Sequence, residues 1–398
     1  MSSLPIEVRA TAGLPLGMPA DVFLRDYWQK RPLLIRTAFP AFRAPLAPED
    51  LAGLACEEAA LSRLIVRDAK RDRWSVRSGP FTDEDFAQLP KSHWTLLVQD
   101  VDKWDADVNR LIDSFDFLPR WRVDDVMISY AVDGGGVGAH VDHYDVFLLQ
   151  GLGRRHWTID DRADAPTAFR DDAELKLLAQ FSPTHAWTLE VGDMLYLPPG
   201  VPHDGVAEGP CMTFSIGMRA PSVAEMILDL AESIAEPLAE ELRYSDPDLR
   251  PSLDPNEIGA DALHRVSAAL TTLRTLDDAA IGDWFGRYVT RYRSAQTIAP
   301  PNKIHDAKML QSLFDAKGGL VRHPFARMAY AREGKQARLF SDGQRWSCSL
   351  AFAQLICDQR EIAAPLLTDL GLKDRDALLG LINAGHLVPV KPRKRKTT

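Results

Sequence analysis

Between Val126 and Met218 the chain consists of short runs in which apolar and polar residues alternate. The runs are VMISYAV, YDVFLLQ, RRHWTI, AWTLEV, DMLYLP and CMTFSIGM, and turns rich in Gly, Pro and Asp separate them. Alternation of this kind predicts strands. One stretch from Asp171 to Phe181, DDAELKLLAQF, predicts a short helix. Many short strands without an intervening series of helices predict an antiparallel jelly-roll sandwich or barrel.

The residues before this region mix the two patterns. PADVFLRDYWQK predicts an amphipathic helix that Pro32 ends, and a short strand follows it. SRLIVRD and RWSVRSG alternate as a β-hairpin does, whereas DKWDADVNRLIDSF has helical spacing. The chain up to residue 220 therefore predicts a barrel domain with an N-terminal α+β elaboration.

After Pro221 the apolar residues recur at spacings of three and four, which is typical of helices. The runs are VAEMILDLAESIAEPLAEELR, ALHRVSAALTTLRTL and DAAIGDWFGRYVTRYRSA. We expect a helical region over 221–300 whose apolar faces either cover the barrel or form a dimer interface. Beyond IAPPNK, the helices AFAQLICDQR and DRDALLGLINAG with the strand HLVPV predict a winged-helix-like module over 301–390.

Charge and composition narrow the function classes. The net charge is −9, but the basic tail KPRKRKTT, 391–398, carries five positive charges, which leaves the body near −14. An acidic body is a poor nucleic-acid binder, so only the tail is a candidate for such contacts. No apolar run is long enough for a membrane span, and the start of the chain has no pattern of a targeting signal. Four cysteines at unrelated spacings predict neither disulfides nor a zinc ribbon, and we expect a cytoplasmic protein.

The most informative stretch is GGGVGAHVDHYDVFLLQ. His140 and Asp142 are two residues apart, so on a strand both project from the same face. His203 follows a predicted strand and a Pro-Gly turn. Two histidines and one carboxylate with open positions suit non-haem iron(II) that must also bind a chelating co-substrate and dioxygen. A structural zinc site would require four closed ligands.

The neighbouring polar residues have weaker cases as ligands. His143 and Asp145 have the parity opposite to that of His140, and His156 and His185 are expected to be structural or surface residues. The histidines outside the barrel pattern receive no role: His93, His264, His305, His323 and His386.

An acidic co-substrate needs a cation, and GLGRRHW offers two arginines. By alternation only one of Arg154 and Arg155 points inward, and Arg155 shares its face with Trp157. An arginine fork binds a carboxylate through two hydrogen bonds, so we predict Arg155 for the co-substrate and a surface ion pair for Arg154. GGGVG lacks the residues of a phosphate loop and predicts a tight turn beside the metal. Asp133 is a candidate either for pairing with a cationic substrate or for capping that turn.

At these residues the sequence resembles the bacterial ribosomal oxygenases, a JmjC-type branch of the cupin superfamily. The resemblance is carried by FLRDYWQKRPLLIR, WTLLVQDVDKW, RVDDVMIS, GGGVGAHVDHYDVFLLQGLGRRHW, GDMLYLPPGVPH, SIGMRAP and YSDPDLRP. It implies an α+β fold with a double-stranded β-helix (jelly-roll, cupin, JmjC) core, a helical dimerisation region and a C-terminal winged-helix domain. The chain departs from the family at Ala131, where a serine near the co-substrate is expected, and in its basic tail.

The resemblance also implies the function. It makes His140, Asp142 and His203 the Fe(II) ligands and Arg155 the partner of 2-oxoglutarate, with dioxygen as the second co-substrate. It further implies a homodimer and a ribosomal-protein substrate in which an arginine, or in eukaryotic relatives a histidine, is hydroxylated. For an arginine, Asp133 and Tyr144 are candidates for holding the side chain.

Two alternative functions stay open at this point. A JmjC protein that acts on methyl-lysine is a demethylase, and a cupin without turnover is a ribosome- or RNA-associated binding module. The helix DRDALLGLINAG holds one arginine and two aspartates, which is a poor composition for reading a nucleic-acid groove. We therefore expect the winged helix to contact protein or to support a dimer.

Overall fold

The structure is a computed structural model that describes residues 4–249, 258–271, 276–291, 298–315, 318–367 and 369–390. The chain forms two compact units, Met1–Ala220 and Pro221–Thr398. The basic tail predicted at 391–398 lies outside the described residues. Within the described residues, no helix is both long and apolar enough to cross a lipid bilayer.

A ten-stranded sheet forms the first unit. Its strands are β1 (Glu7–Arg9), β2 (Leu33–Arg36), β3 (Ser62–Asp68), β4 (Arg73–Ser78), β5 (Trp94–Val98), β6 (Val123–Ala131), β7 (Val146–Ile159), β8 (His185–Leu189), β9 (Met194–Leu197) and β10 (His203–Met218). The strand order is β1-β2-β9-β7-β10-β6-β5-β3-β4, and β8 pairs with β7. Every pair is antiparallel except β1 with β2, which confirms the antiparallel jelly-roll prediction.

The pairing of β7 with β10 forms the wall on which the site is built. It runs from His203 opposite Ile159 to Gly217 opposite Val146. The runs YDVFLLQ and RRHWTI, predicted as two strands, are therefore one strand of 14 residues. Gly153 between them has φ +60°, and the register shifts opposite it. A glycine in the left-handed region bends the strand without ending it, so Gly153 lies within one continuous strand and not in a turn between two strands.

The helix predicted at Asp171–Phe181 is wrong. This stretch contains bends and an isolated bridge between Phe169 and Leu178. The backbone N–H of Leu178 donates to the carbonyl of Ala139 at 2.8 Å, so the stretch pairs with the loop before β7 rather than with itself. A tertiary hydrogen bond outweighs a weak local helical preference here.

Short helices and an aromatic core complete the first unit. The helices are α1 (Ala20–Asp26), α2 (Pro48–Leu54), α3 (Asp83–Ala87), α4 (Val101–Trp104) and α5 (Ala106–Leu111), with 3₁₀ turns at Ile112–Phe115 and Arg120–Arg122. The predicted helix DKWDADVNRLIDSF is split at Asp105, whose carboxylate caps α5. Phe23, Phe147 and Tyr196 pack with ring centroids 4.9 to 5.8 Å apart at the centre of the core.

The second unit contains helices followed by two small sheets. Its helices are α6 (Val223–Ala235), α7 (Ala260–Ala269), α8 (Asp278–Thr290), α9 (Ala307–Asp315), α10 (Leu350–Asp358) and α11 (Leu372–Asn383), with a 3₁₀ turn at Ala364–Leu367. Its strands are β11 (Gly319–Arg322), β12 (Met328–Glu333), β13 (Gln336–Ser341), β14 (Gln344–Ser349), β15 (Glu361–Ala363) and β16 (Leu387–Val390), paired in the orders β15-β11-β16 and β12-β13-β14. The predicted α10, α11 and β16 are present, whereas the sequence analysis did not find β11 to β15.

Candidate metal centre

Three side chains with metal-binding atoms lie together at the start of β10. One ligand atom from each of His140, Asp142 and His203 lies within 4.8 Å of the other two. The Oδ2 atom of Asp142 is 3.7 Å from Nε2 of His203 and 4.0 Å from Nε2 of His140. Among the described residues no other group of histidine, cysteine and carboxylate side chains has this spacing.

The backbone brings the two histidines together through a two-residue bridge. The N–H of each of His140 and His203 donates to the carbonyl of the other at 3.0 Å. Asp142 lies just beyond the bridge, and its carbonyl accepts from Gly200 N–H at 2.7 Å. Residues 141–145 are not a strand, so the strand parity used to choose Asp142 is not what positions it. The bridge and the turn after β9 do so.

Both imidazoles are oriented for ligation. Nδ1 of His140 donates to the Gly138 carbonyl at 2.8 Å, and Nδ1 of His203 donates to the Val201 carbonyl at 2.9 Å. A carbonyl can only accept, so each Nδ1 carries a proton, and in the neutral ring the Nε2 lone pair is the one available to a metal. Burial and the adjacent His140 imidazole lower the pKa of His203 to about 4. His203 therefore stays neutral near pH 7, and the donor set fits a divalent transition metal.

Arg155 lies on the same wall of the barrel as His203. In the register of β7 with β10, Arg155 is opposite Ala207 and Ile159 is opposite His203. The Arg155 side chain is only 3% exposed, and neither its Nε nor its Nη2 has a hydrogen-bond acceptor among the described residues. Buried polar groups in folded proteins are nearly always paired.

The two unpaired nitrogens of Arg155 form one edge of the guanidinium. Arg162 and Arg170 use the same Nε and Nη2 edge to bind the carboxylates of Asp160 and Asp172 through two hydrogen bonds. This edge of Arg155 therefore matches a carboxylate. Arg154 has a 59% exposed side chain and forms an ion pair of 3.4 Å with Glu208, as the alternation predicted.

The two candidate substrate residues lie in different places. Tyr144 is 41% exposed, and its hydroxyl lies close to the Asp142 carboxylate. Shielding from water and that carboxylate raise the pKa of Tyr144. Asp133 is exposed and its Oδ1 accepts from Gly209 N–H at 3.0 Å, six residues along β10 from His203. Ala131 is fully buried against Ala207 and Cys211.

The neighbouring polar residues that the sequence analysis did not choose as ligands have other surroundings. Asp145 is completely buried and accepts from the Tyr196 hydroxyl at 2.6 Å, from Gln29 Nε2 at 2.9 Å and from Arg122 Nη2 at 3.1 Å. His143 is exposed. Nδ1 of His156 lies 3.2 Å from the Thr188 hydroxyl, and Nδ1 of His185 lies 3.0 Å from the Thr184 hydroxyl.

The sequence analysis missed several residues around the centre. The side chains of Trp74 and Leu177 lie against Gly138, whose carbonyl orients His140. The ring of His93 lies against Gly134, and the backbone N–H of His93 donates to the Asp133 carbonyl at 2.9 Å. These contacts join segments far apart in the chain, and no local pattern signals them. Asp204 was also missed: its Oδ1 is buried without a partner among the described residues, and burial raises its pKa.

An antiparallel jelly-roll that carries a His, Asp, His triad on its wall defines a metal-binding barrel of the JmjC class. The family model of the JmjC domain matches residues 110–226, and that of the ROXA-like winged helix matches residues 271–388, which confirms the winged-helix prediction. Ribosomal protein uL16 3-hydroxylase of Escherichia coli K12 is 36% identical over 307 residues, covering 75% of this chain and 80% of that protein. The chain therefore belongs to the ribosomal oxygenase family, as the resemblance indicated.

Solved structures of E. coli YcfD resemble this chain over nearly its whole length. An X-ray structure of E. coli YcfD is 31% identical, covers 94% of this chain and 98% of its own, and superposes with a TM-score of 0.80. A structure of YcfD, described as a ribosomal oxygenase, in complex with cobalt and 2-oxoglutarate has the same identity and coverage and a TM-score of 0.76. The similarity extends over both units of the chain.

We expect the chain to bind one divalent transition-metal ion and the His203→Ala variant to lose more than about a hundredfold in affinity, because even outer residues of a metal site contribute ten- to hundredfold. Co(II) titration followed by visible absorption measures this. The matched control is His143→Ala, which removes an exposed imidazole one residue past Asp142 and should leave the affinity unchanged. An unaltered affinity in His203→Ala contradicts the site.

Proposed function

We propose that this chain is an Fe(II)- and 2-oxoglutarate-dependent hydroxylase that acts on an arginine side chain of a large-subunit ribosomal protein. One observation supports it most. A His, Asp, His donor set and an unpaired, buried arginine edge lie in the same barrel, where His203 and Arg155 share the wall formed by β7 and β10. A metal and a carboxylate on one wall are what a 2-oxo dicarboxylate needs at its two ends.

In this proposal His140, Asp142 and His203 hold the iron and Arg155 holds the distal carboxylate of 2-oxoglutarate. When bound, the iron allows dioxygen and 2-oxoglutarate to convert a C–H bond into C–OH, with succinate and carbon dioxide as the other products. The protein contributes position and exclusion of water. The carbonyls of Gly138 and Val201 keep both imidazoles facing the ion, and burial strengthens the pairing of Arg155 with a carboxylate.

The substrate assignment is supported by the family and by charge. The E. coli relative is named for uL16, and a ribosomal substrate would be met in the cytoplasm. A guanidinium needs acceptors, and the two exposed candidates are the Tyr144 hydroxyl, two residues from Asp142, and the Asp133 carboxylate, hydrogen-bonded to Gly209 N–H six residues along β10 from His203. A free carboxylate binds a guanidinium through charge-assisted hydrogen bonds.

Incubation with Fe(II), 2-oxoglutarate and large-subunit ribosomal proteins should add one oxygen atom to one arginine, as mapped by peptide mass spectrometry. Asp133→Asn should raise the KM for the protein substrate about tenfold, because the negative charge that pairs with the guanidinium is lost, and should leave 2-oxoglutarate binding unchanged. A His140→Ala control should give no product. Formaldehyde release without oxygen gain would identify a demethylase, and no turnover at all would identify a binding module; either result contradicts the proposal.

Arg155→Lys should keep the charge and lose the two-point fork, so the affinity for 2-oxoglutarate should fall about ten- to hundredfold. Isothermal titration of the Mn(II)-loaded protein measures this without turnover. Arg154→Lys is the matched control, because it changes the neighbouring arginine on the exposed face and should have no effect. Equal losses in the two variants contradict the role of Arg155.

We also propose that residues 221–300 form a homodimer interface. In the sequence this region follows the barrel domain (1–220) and precedes the winged-helix domain (301–390). In α6, Val223, Ile227 and Leu228 are more than 60% exposed. Leu263 and Val266 of α7 and Leu270, the residue that caps this helix, are exposed and are spaced by three and four residues. Contiguous exposed apolar surface marks an association site, and a second copy of the same helices matches it.

The double variant Leu228→Glu, Leu263→Glu should shift the protein from dimer to monomer in light scattering coupled to size-exclusion chromatography, because the charges would be buried in an apolar interface. Glu232→Lys, an exposed change on the same helix, should remain dimeric. A monomeric wild type, or a double variant that stays dimeric, contradicts this interface.

A further inference from the structure

Trp157 lies between the candidate co-substrate cation and the candidate metal. In the register of β7 with β10, Arg155, Trp157 and Ile159 face the same side and lie opposite Ala207, Gly205 and His203 in turn. The Trp157 ring centroid is 5.8 Å from Cζ of Arg155 and 6.0 Å from the centroid of the His203 ring. Any molecule that joins Arg155 to the metal therefore passes next to this indole.

The indole nitrogen of Trp157 is an unused donor. The residue is only 4% exposed, and its Nε1 has no hydrogen-bond acceptor among the described residues. A buried tryptophan usually finds an acceptor for this N–H, since leaving it unpaired opposes folding. Together with Nε and Nη2 of Arg155, three buried donors line one short section of β7.

The orientation of the ring is fixed by Gly205. A Cβ at residue 205 would lie 2.7 to 2.8 Å from Cη2, Cζ3 and Cε3, the benzene edge of the indole. The ring therefore lies directly on the glycine backbone of β10. Nε1 is on the opposite edge of the indole and so points away from β10.

We propose that Trp157 is a positioning residue for the co-substrate, whose N–H donates to the bound 2-oxo dicarboxylate while its ring supports the carbon chain. This inference rests on the proposed function and adds a second anchor to Arg155. Three buried, unpaired N–H donors two residues apart on one strand match an anion with oxygen atoms at both ends. The absence of a side chain at Gly205 is what allows the ring to occupy this position.

The direct test is the indole N–H resonance of Trp157 in a ¹H–¹⁵N spectrum of the protein loaded with diamagnetic Zn(II). The chain has nine tryptophans, and the resonance is assigned by its loss in Trp157→Phe. Addition of 2-oxoglutarate should move it downfield. The indole resonance of Trp187, the residue opposite Trp157 on β8, should move much less.

Binding gives the second readout. In Mn(II)-loaded protein, Trp157→Phe should weaken 2-oxoglutarate by about tenfold, because a hydrogen bond to a charged acceptor is lost, while Mn(II) affinity and the thermal midpoint stay close to wild type. Trp187→Phe is the matched control and should bind normally. If Trp157→Phe does not fold, Gly205→Ala serves instead, because its methyl group displaces the ring and should weaken binding in the same direction.

The outcomes separate this inference from the proposed function. If wild type binds 2-oxoglutarate, and the Trp157 resonance is unmoved and the Trp157→Phe and Gly205→Ala affinities are unchanged, the role of Trp157 is overturned and the function stands. If wild type itself binds no 2-oxoglutarate, the proposed function fails first. A loss in Trp187→Phe as large as that in Trp157→Phe also overturns the inference, because it indicates general packing.

Discussion

The reciprocal hydrogen bonds between His140 and His203 are the constraint on which the site depends. They join the loop before β7 to the first residue of β10, two segments sixty residues apart that the sheet does not otherwise pair at this point. Once they form, both imidazoles and the Asp142 carboxylate face one position. His203 pairs with Ile159 in the register of β10 with β7. Trp157 and Arg155 are two and four residues before Ile159 on β7, so their distance from the bridge along the strand is fixed by the same register. The strand register therefore fixes the spacing between His203 and Arg155.

The site is prepared at a cost in stability. Unpaired buried donors such as the Arg155 edge and Trp157 Nε1 each cost about 1 to 3 kcal/mol, and His203 is held neutral by burial. Functional sites often break the rules that the rest of a fold obeys. Here the surrounding core compensates: Asp145, beside the ligand turn, is completely buried with three donors, and Tyr196 links it to the aromatic cluster of Phe23 and Phe147.

The parts of the fold and of the site that depend on local sequence patterns could be predicted from the sequence. Alternation gave the antiparallel strands and placed Arg155 inside and Arg154 outside. The last predicted run, CMTFSIGM, is the second half of β10, which starts eight residues earlier, at His203. The failures occur where tertiary contacts outweigh local preference. Gly153 bends β7 instead of ending it, and the stretch 171–181 pairs with Ala139 instead of forming a helix.

The contributions of Trp74, His93 and Gly205 could not be read from the sequence, because each acts through a contact between distant strands or loops. The choice of His140 and Asp142 rested on strand parity, whereas the structure positions them by a bridge and a turn. Spacing in the sequence therefore selected the candidate ligands without identifying what holds them.

The most direct test of the central claim is a crystal structure of the protein with Fe(II) and 2-oxoglutarate under anaerobic conditions, with anomalous diffraction collected at the iron edge. The account predicts one iron bound by His140, Asp142 and His203, and one 2-oxoglutarate that chelates it while its distal carboxylate lies on the Nε and Nη2 edge of Arg155. Iron at another position, or a co-substrate carboxylate that leaves this edge unpaired, would contradict it.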